Sequence, residues 1–167
     1  SRRKVQRKKM NVSGLRKDAA IERAKPKADR VGRPWFYLGN TYSDMGAPLK
    51  ALPHYLEYLK WSKFGEERRQ ALQQVAVIYF RHWASNMPET TDEEKQTKEA
   101  ARADGRLRAR RFALDAMIHG WRHSEPILLL AEIAYEEKDW EQVLHWCKLA
   151  KAIPAPHSVM FLQGPAY

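Results

Sequence analysis

Two small residues, Gly39 and Ala51, interrupt a stretch that is otherwise rich in aromatic and aliphatic side chains, PWFYLGNTYSDMGAPLKALPHYLEYL (residues 34–59). The large side chains recur with the helical period of about 3.6 residues. Helices that lack side-chain bulk where they touch can approach to the short end of the usual axial separation of about 8–10 Å. The stretch therefore predicts two antiparallel helices, residues 34–45 and 48–61, that cross at Gly39 and Ala51.

Helical periodicity continues through most of the remaining chain. No segment alternates polar and apolar residues over a useful length, so we expect no β-sheet. A short apolar edge before Pro26 predicts one small helix near the N-terminus, because proline ends a helix there. The further predicted helices are residues 15–24, 66–84, 106–119, 125–137 and 139–152.

The helices pair into units with a common spacing of large and small residues, which indicates an internal repeat. In the first unit, Trp35, Leu38-Gly39, Tyr42, Ala51 and Tyr55 match the tetratricopeptide pattern, a helix–turn–helix of about 34 residues. In the first helices of the second and third units, Leu72 and Ile127 stand where Trp35 stands in the first unit. Stacked pairs bury a continuous core that one pair cannot form alone. The predicted units are residues 32–64, 66–119 and 125–154.

Residues 85–105 separate the two helices of the second unit and account for its extra length. This polar segment is interpreted as an insertion, either a solvated loop or a surface helix. Thr91 is the expected cap of such a helix, since Asp92, Glu93 and Glu94 would complement its positive end. The predicted fold class is thus all-α: a tetratricopeptide-like array of about three antiparallel helix pairs, an α-solenoid.

Two stretches, RPWFYLGNTYSDMGAPLKALPHYLEYLK and HSEPILLLAEIAYEEKDWEQVLHWCKLAKAIPAPHSVMFLQGPAY, resemble the helical-repeat region that follows the catalytic domain in bacterial and phage family-2 glycosyltransferases. The resemblance covers about residues 16–167. Relatives usually continue past a similar Ala-Tyr into another repeat, so this chain resembles a fragment or a shortened relative. The most specific features are Phe36-Tyr37-Leu38, Glu125-Pro126, Asp139-Trp140, Ile153-Pro154, Met160-Phe161 and Ala166-Tyr167.

That family's sugar-nucleotide site needs an α/β nucleotide-binding fold and an Asp-x-Asp pair of carboxylates for the metal diphosphate. This sequence contains no Asp-x-Asp and no βαβ pattern. The resemblance therefore implies an accessory role in glycosylation. We expect a non-catalytic protein-interaction or scaffold module, with no enzyme activity, no cofactor and no metal.

The repeat spacing also predicts a groove for an extended peptide, lined by the first helix of each unit. Asn40 would pair with the peptide backbone, whereas Phe36 stands where some relatives carry a lysine of a carboxylate clamp. Ordinary solvated or partly buried side chains remain the alternative. The predicted groove residues are Phe36, Asn40, Ser43, Asp44, Gln73, Val77, Phe80, Arg81, Leu128, Glu132, Tyr135 and Glu136.

Basic charge is concentrated at the N-terminus. Residues 1–31 carry a net charge of +9 within a chain total of +10, so the remaining body is nearly neutral. We predict a basic arm whose residues 1–13 are disordered or become ordered only on a partner. The partner is a protein, such as an adjacent catalytic domain, or a polyanion such as a nucleic acid or anionic lipid heads, and a solvated tail is the alternative. The alternative function is thus a structural component of a larger assembly, viral or nucleic-acid-associated. The anion-binding residues of this arm are Arg2, Arg3, Lys4, Arg7, Lys8 and Lys9.

The remaining signals are weak. A single cysteine, Cys147, excludes an internal disulfide and is expected to be buried and inert. His119 and His123 have a metal spacing, but Gly120 argues against one continuous helix through them. The sequence has no long apolar run and no apolar segment after its basic start, so we expect no transmembrane helix, no secretory signal and a cytoplasmic location. Residues 155–167, with two further prolines, are predicted to be extended.

Overall fold

A computed structural model describes residues 2–62, 65–120 and 123–154, with side chains from Asn11 onward. Within these residues all regular structure is helical, and each helix packs against the next as a sequence of antiparallel pairs. The all-α prediction is therefore confirmed for the described part of the chain. The seven α-helices found there are α1 (Arg2–Ala24), α2 (Arg33–Asp44), α3 (Pro48–Trp61), α4 (Gly65–Arg81), α5 (Asp92–His119), α6 (Glu125–Glu136) and α7 (Trp140–Ala152).

The crossing of α2 and α3 lies where the small residues predicted it. Ala51 is fully buried, and the ring of Tyr55 lies against the backbone of Gly39. A methyl group added at Gly39 would lie 2.5 Å from the ring of Tyr55, closer than any real contact. Trp35 and Leu38 fill the space beside this crossing and are almost completely buried. Glycine at this position thus lets the Tyr55 ring approach the backbone of α2 closely.

The N-terminal region differs from its prediction. The structure shows one continuous helix from Arg2 to Ala24, where we expected disorder over residues 1–13 and a helix only at 15–24. Val12 and Leu15 pack against the hydrophobic core, and Ala19 is buried in it. Val12 extends the apolar edge of α1 by about one turn before Leu15, and its packing on the core favours helix at that point.

A buried carboxylate joins α1 to the start of α2. The Glu22 side chain accepts hydrogen bonds from the backbone amides of Val31 (2.6 Å) and Gly32 (3.2 Å) and from the ammonium of Lys25 (2.7 Å). Burial by itself would raise the pKa of Glu22, but these hydrogen bonds outweigh it and hold the pKa below its ordinary value of 4.5. Glu22 therefore stabilises the fold in its ionised form.

Replacing Glu22 with glutamine is expected to lower the free energy of unfolding by about 1–3 kcal/mol at neutral pH, because a charged acceptor of three hydrogen bonds is lost. Since the folded-state pKa is depressed, the contribution is complete above about pH 4.5 and is lost as the pH falls through the folded-state value. Urea titrations of the parent and of the variant from pH 3 to pH 7 measure their free energies of unfolding. The difference between the two values should disappear at low pH. Asp18→Asn, an exposed site on the same helix, is the control. A gap independent of pH would contradict an ionised Glu22.

The predicted insertion at 85–105 is mostly helical and continuous with the helix after it. Helix α5 runs from Asp92 to His119, so the prediction of a separate helix at 106–119 is wrong. Thr91 caps α5 as predicted: its hydroxyl accepts from the amide of Glu94 (3.2 Å), whose carboxylate accepts from the amide of Thr91 (3.0 Å). This reciprocal pair satisfies two backbone donors that the helix end would leave open.

Small residues along one face of α5 explain why it packs so closely on α4. Gly105, Ala109, Ala113 and Ala116 recur at helical spacing, and all four are buried. At Gly105 an added methyl group would lie 2.5 Å from the backbone carbonyl oxygen of Tyr79. The second pair of helices thus has its own glycine crossing, inside the segment that sequence analysis had treated as an insertion.

The last helix has an open side. No residue of α7 is buried, although Val143, Trp146 and Ala150 are partly covered by α6. Cys147 is exposed, so the expectation of a buried thiol is wrong. In the described residues the main contact of α7 is with α6, whereas every helix from α2 to α6 has a neighbour on each side. The extended segment predicted for residues 155–167 lies outside the described part of the chain.

None of the helices described is both long enough and apolar enough to cross a bilayer.

Candidate functional site

Helix α2 contributes little to the predicted groove. Phe36 is buried and packs its ring against Tyr58, with ring centroids 5.1 Å apart, so it belongs to the core. The hydroxyl of Tyr55 donates to the side-chain oxygen of Asn40 (2.8 Å) and lies 3.3 Å from the hydroxyl of Ser43. Burial raises the pKa of Tyr55 to about 12, which keeps it protonated as the donor. Asp44 is exposed at the end of the helix. These polar groups mainly satisfy one another.

Helix α4 presents a half-buried stripe of three predicted groove residues. Gln73, Val77 and Phe80 follow one another at spacings of four and three residues, so they share a helix face. The side-chain oxygen of Gln73 is buried and accepts no hydrogen bond from any residue that the structure describes. Leaving a buried acceptor unsatisfied costs about 1–3 kcal/mol, so this oxygen is an exception that calls for an explanation.

Helix α6 lies beside α4 and exposes large apolar side chains. Leu128 is 45% exposed and Tyr135 is 62% exposed, and the Tyr135 ring meets that of Trp140 edge-on at 5.5 Å. Arg81 of α4 donates to Glu132 of α6 at 2.7 Å, which ties the two helices together at the surface. Arg81 and Glu132 thus join the predicted groove residues of α4 to those of α6 at one point, while those of α2 are largely drawn into its own packing.

A cavity of about 460 Å³ opens at the C-terminal ends of α4 and α6, above the first half of α5. One wall is aromatic and comes from the end of α4, and the opposite wall is cationic and comes from α5. Phe80, Arg81 and Glu136 were predicted groove residues, but the α5 cations were not. The lining residues are Tyr79, Phe80, Arg81, Ala84, Ser85, Lys98, Arg102, Arg106 and Glu136.

The cations of α5 are held in place by carboxylates outside the lining. Lys98 donates to Glu89 at 2.7 Å, and Arg106 donates to Glu99 at 2.8 Å. The hydrogen bond from Lys98 lowers the pKa of Glu89, and that from Arg106 lowers the pKa of Glu99. Lys98 and Arg106 are only 13% and 18% exposed at the side chain, so their positions are restricted.

Sequence reasoning missed these cations although a signal was present. Lys98, Arg102, Arg106 and Arg110 recur every four residues, which places them along one face of a helix. The pattern was overlooked because residues 85–105 had been separated from 106–119. Once α5 is recognised as one helix, the stripe predicts a continuous basic edge beside the groove.

The remaining predicted sites are the histidine pair with metal spacing and the basic arm. Helix α5 ends at His119, whose ring nitrogen accepts from Arg68 at 3.2 Å, and His123 lies 3.6 Å from Glu66. Among the described residues no three potential metal ligands cluster together. The backbone of the basic arm belongs to α1, but the side chains of Arg2, Arg3, Lys4, Arg7, Lys8 and Lys9 lie outside what is described.

Comparison with known proteins adds no identification, because no protein-family model, curated protein or solved structure matches the chain.

Proposed function

We propose that this chain is a non-catalytic protein-interaction module that binds an extended segment of a partner along the exposed faces of α4 and α6. The helix pairs are interpreted as a tetratricopeptide-like array whose inner face presents the first helix of each pair. Four half-buried or exposed apolar side chains, Val77, Phe80, Leu128 and Tyr135, provide the contact surface. Helices α4 and α6 contact each other, and apolar patches on a protein surface are typical of interaction sites.

The observation that carries this proposal is the side-chain oxygen of Gln73, which has no hydrogen-bond partner within residues 2–62, 65–120 and 123–154 and lies in the same stripe as Val77 and Phe80. The terminal torsion of glutamine is soft, so its amide can turn toward a ligand at little cost. A backbone N–H of a bound peptide would then satisfy the acceptor. Gln73 takes the role that sequence analysis assigned to Asn40, whose oxygen already accepts from Tyr55.

Replacing Gln73 with methionine, a side chain of similar length, is expected to raise the free energy of unfolding by about 1 kcal/mol, since the unsatisfied acceptor is removed. The same change should weaken peptide binding. Chemical denaturation and peptide titration measure the two effects. Gln74→Met is the matched control, because Gln74 is the adjacent half-buried glutamine and has no orphaned atom. Equal effects at both positions would show that Gln73 has no special role.

The proposal is tested by selecting a displayed library of random peptides against the chain. We expect enriched peptides whose binding is lost in Val77→Glu, because a charge in the stripe opposes apolar contact. Leu107→Glu, at a 66%-exposed site on the outer side of α5, should bind as the parent does. Failure to enrich any peptide, or equal loss in both variants, would contradict a groove on α4 and α6.

An accessory role in glycosylation and a cytoplasmic location follow only from the resemblance and from composition, and are proposed on that basis. Transfer or hydrolysis of a sugar nucleotide by this chain alone would contradict the non-catalytic role. The assay is product formation from labelled sugar nucleotides, with the purified chain as the only protein.

A second candidate function is docking to a polyanion through α1. The net charge of +9 over residues 1–31 favours it. Neutralising phosphates with lysine and arginine makes binding strongly salt-dependent. We expect binding to a nucleic-acid duplex to fall steeply with salt and to disappear when residues 1–13 are deleted. Absence of binding at low salt would remove this candidate and leave the peptide groove.

A further inference from the structure

We propose that the cavity between α4, α5 and α6 binds an acidic side chain of the partner segment, either a carboxylate or a phosphate ester. The inference rests on the proposed function, because the cavity continues the surface of α4. Three of its four cations, Lys98, Arg102 and Arg106, belong to α5 and are separate from the first-helix positions predicted for peptide binding, whereas the fourth, Arg81 of α4, is one of those positions.

The charge of the lining favours an anion. Four side chains that line the cavity are cationic, and Glu136 is its single carboxylate among the described residues. Lys98, Arg102 and Arg106 project from one face of α5 at intervals of four residues. An acidic group that enters between them would therefore meet several donors in a partly enclosed site, where charged hydrogen bonds are stronger than in open water.

Arg106 has hydrogen-bonding capacity to spare. One of its terminal nitrogens donates to Glu99, but its Nη1 lies 3.9 Å from Glu136 and its Nε lies 3.8 Å from Glu137. These separations exceed the length of a hydrogen bond. A planar guanidinium with such unused donors suits the two oxygens of a carboxylate or a phosphate.

The carboxylates that pair with Arg102 can be displaced from it. Glu89 and Glu99 are 46% and 57% exposed, and Arg102 reaches them only at 3.6 and 3.5 Å. Exposed ion pairs of this kind contribute little, typically well under 1 kcal/mol. An incoming anion that also contacts Phe80 would exchange a weak solvent-exposed pair for a better enclosed one.

The geometry also sets the spacing of the ligand. Phe80, at the cavity, follows Gln73 by seven residues of α4, which is about 10 Å along a helix. An extended peptide covers that distance in about three residues. The acidic residue should therefore stand about three positions from the residue whose backbone contacts Gln73.

The test scans one position at a time through a peptide selected from the random library. Glutamate, phosphoserine, glutamine and alanine are placed at each position, and affinity is measured by titration. We expect one position at which an acid binds about tenfold more tightly than glutamine, the effect of one charge-assisted hydrogen bond. The ranking of phosphoserine against glutamate distinguishes a phosphate from a carboxylate ligand.

Arg102→Gln should abolish that preference while the glutamine peptide binds as before. Arg111→Gln makes the same change of charge at an exposed site and should keep the preference. Thermal denaturation of both variants checks that the fold is intact. Acid preference that persists in Arg102→Gln, or no acid preference at any position, would overturn the inference while leaving the peptide groove standing.

A second measurement does not depend on a peptide. Inorganic phosphate and glutarate are titrated into the isotope-labelled chain, and the Nε–H signal of Arg106 is followed by nuclear magnetic resonance. A saturable shift, absent in Arg102→Gln, supports the anion site even if no peptide is ever enriched. Shifts that do not saturate, or that are equal in both proteins, would overturn it.

Discussion

Replacing Gly105 with alanine is expected to lower the free energy of unfolding by about 3 kcal/mol, at the upper end of the usual range for overpacking. The added methyl group would lie 2.5 Å from the carbonyl oxygen of Tyr79 and 3.4 Å from the side chain of Trp83. A backbone carbonyl within a helix cannot move aside as a side chain can. Helices α4 and α5 would therefore have to separate along their contact.

The matched control is Gly14→Ala on α1, where nothing lies within 4 Å of the added methyl group. Alanine is the better helix former, so this variant should gain about 0.5–1 kcal/mol. Urea denaturation followed by circular dichroism measures both. Loss of stability at Gly14, or none at Gly105, would show that the α4–α5 contact is not as close as described.

Replacing Gly39 with leucine is expected to cost about 1–3 kcal/mol, since the new side chain would occupy the position of the Tyr55 ring. The ring can rotate away, but its hydroxyl bonds to Asn40 would then be lost. Alanine at the same position should cost less, because only one methyl group must be accommodated.

Gly39→Leu should also change the environment of Tyr55, which near-ultraviolet circular dichroism can report. The double variant Gly39→Leu, Tyr55→Ala distinguishes local crowding from a general helix effect. We expect Gly39→Leu to cost less free energy of unfolding in the Tyr55→Ala background than in the parent, because the crowded ring is absent. Additive effects of the two changes would contradict a direct contact between these residues.

Local sequence was sufficient for the first helix pair. Gly39, Ala51 and the aromatic residues around them lie within 21 consecutive positions, so spacing alone predicted both helices and their crossing. The second pair was predicted less well because its glycine, Gly105, lies in a polar and charged segment. The charged residues indicated a solvated insertion, whereas the packing of α5 on α4 depends on small residues such as Gly105.

The sequence predicted only some residues of the candidate site, because several of its contacts join different helices. The cavity brings Phe80 and Arg81 of α4 together with Glu136 of α6, and the repeat spacing assigned all three to the predicted groove. The spacing could not show that Phe36 turns into the core, since the neighbouring Tyr58 lies on another helix. Nor could it bring Lys98 and Arg102 of α5 to the end of α4, because those contacts join distant parts of the chain.

The sequence by itself determined the helical class, the pairing of α2 with α3 and the cap at Thr91. Each of these depends on residues close together in the chain, where period and propensity act directly. Only the tertiary structure decided the continuity of α5, the unpartnered oxygen of Gln73 and the cation-lined cavity. These features arise when distant helices exclude water from one another, and the energy of that burial depends on neighbours that a local pattern does not specify.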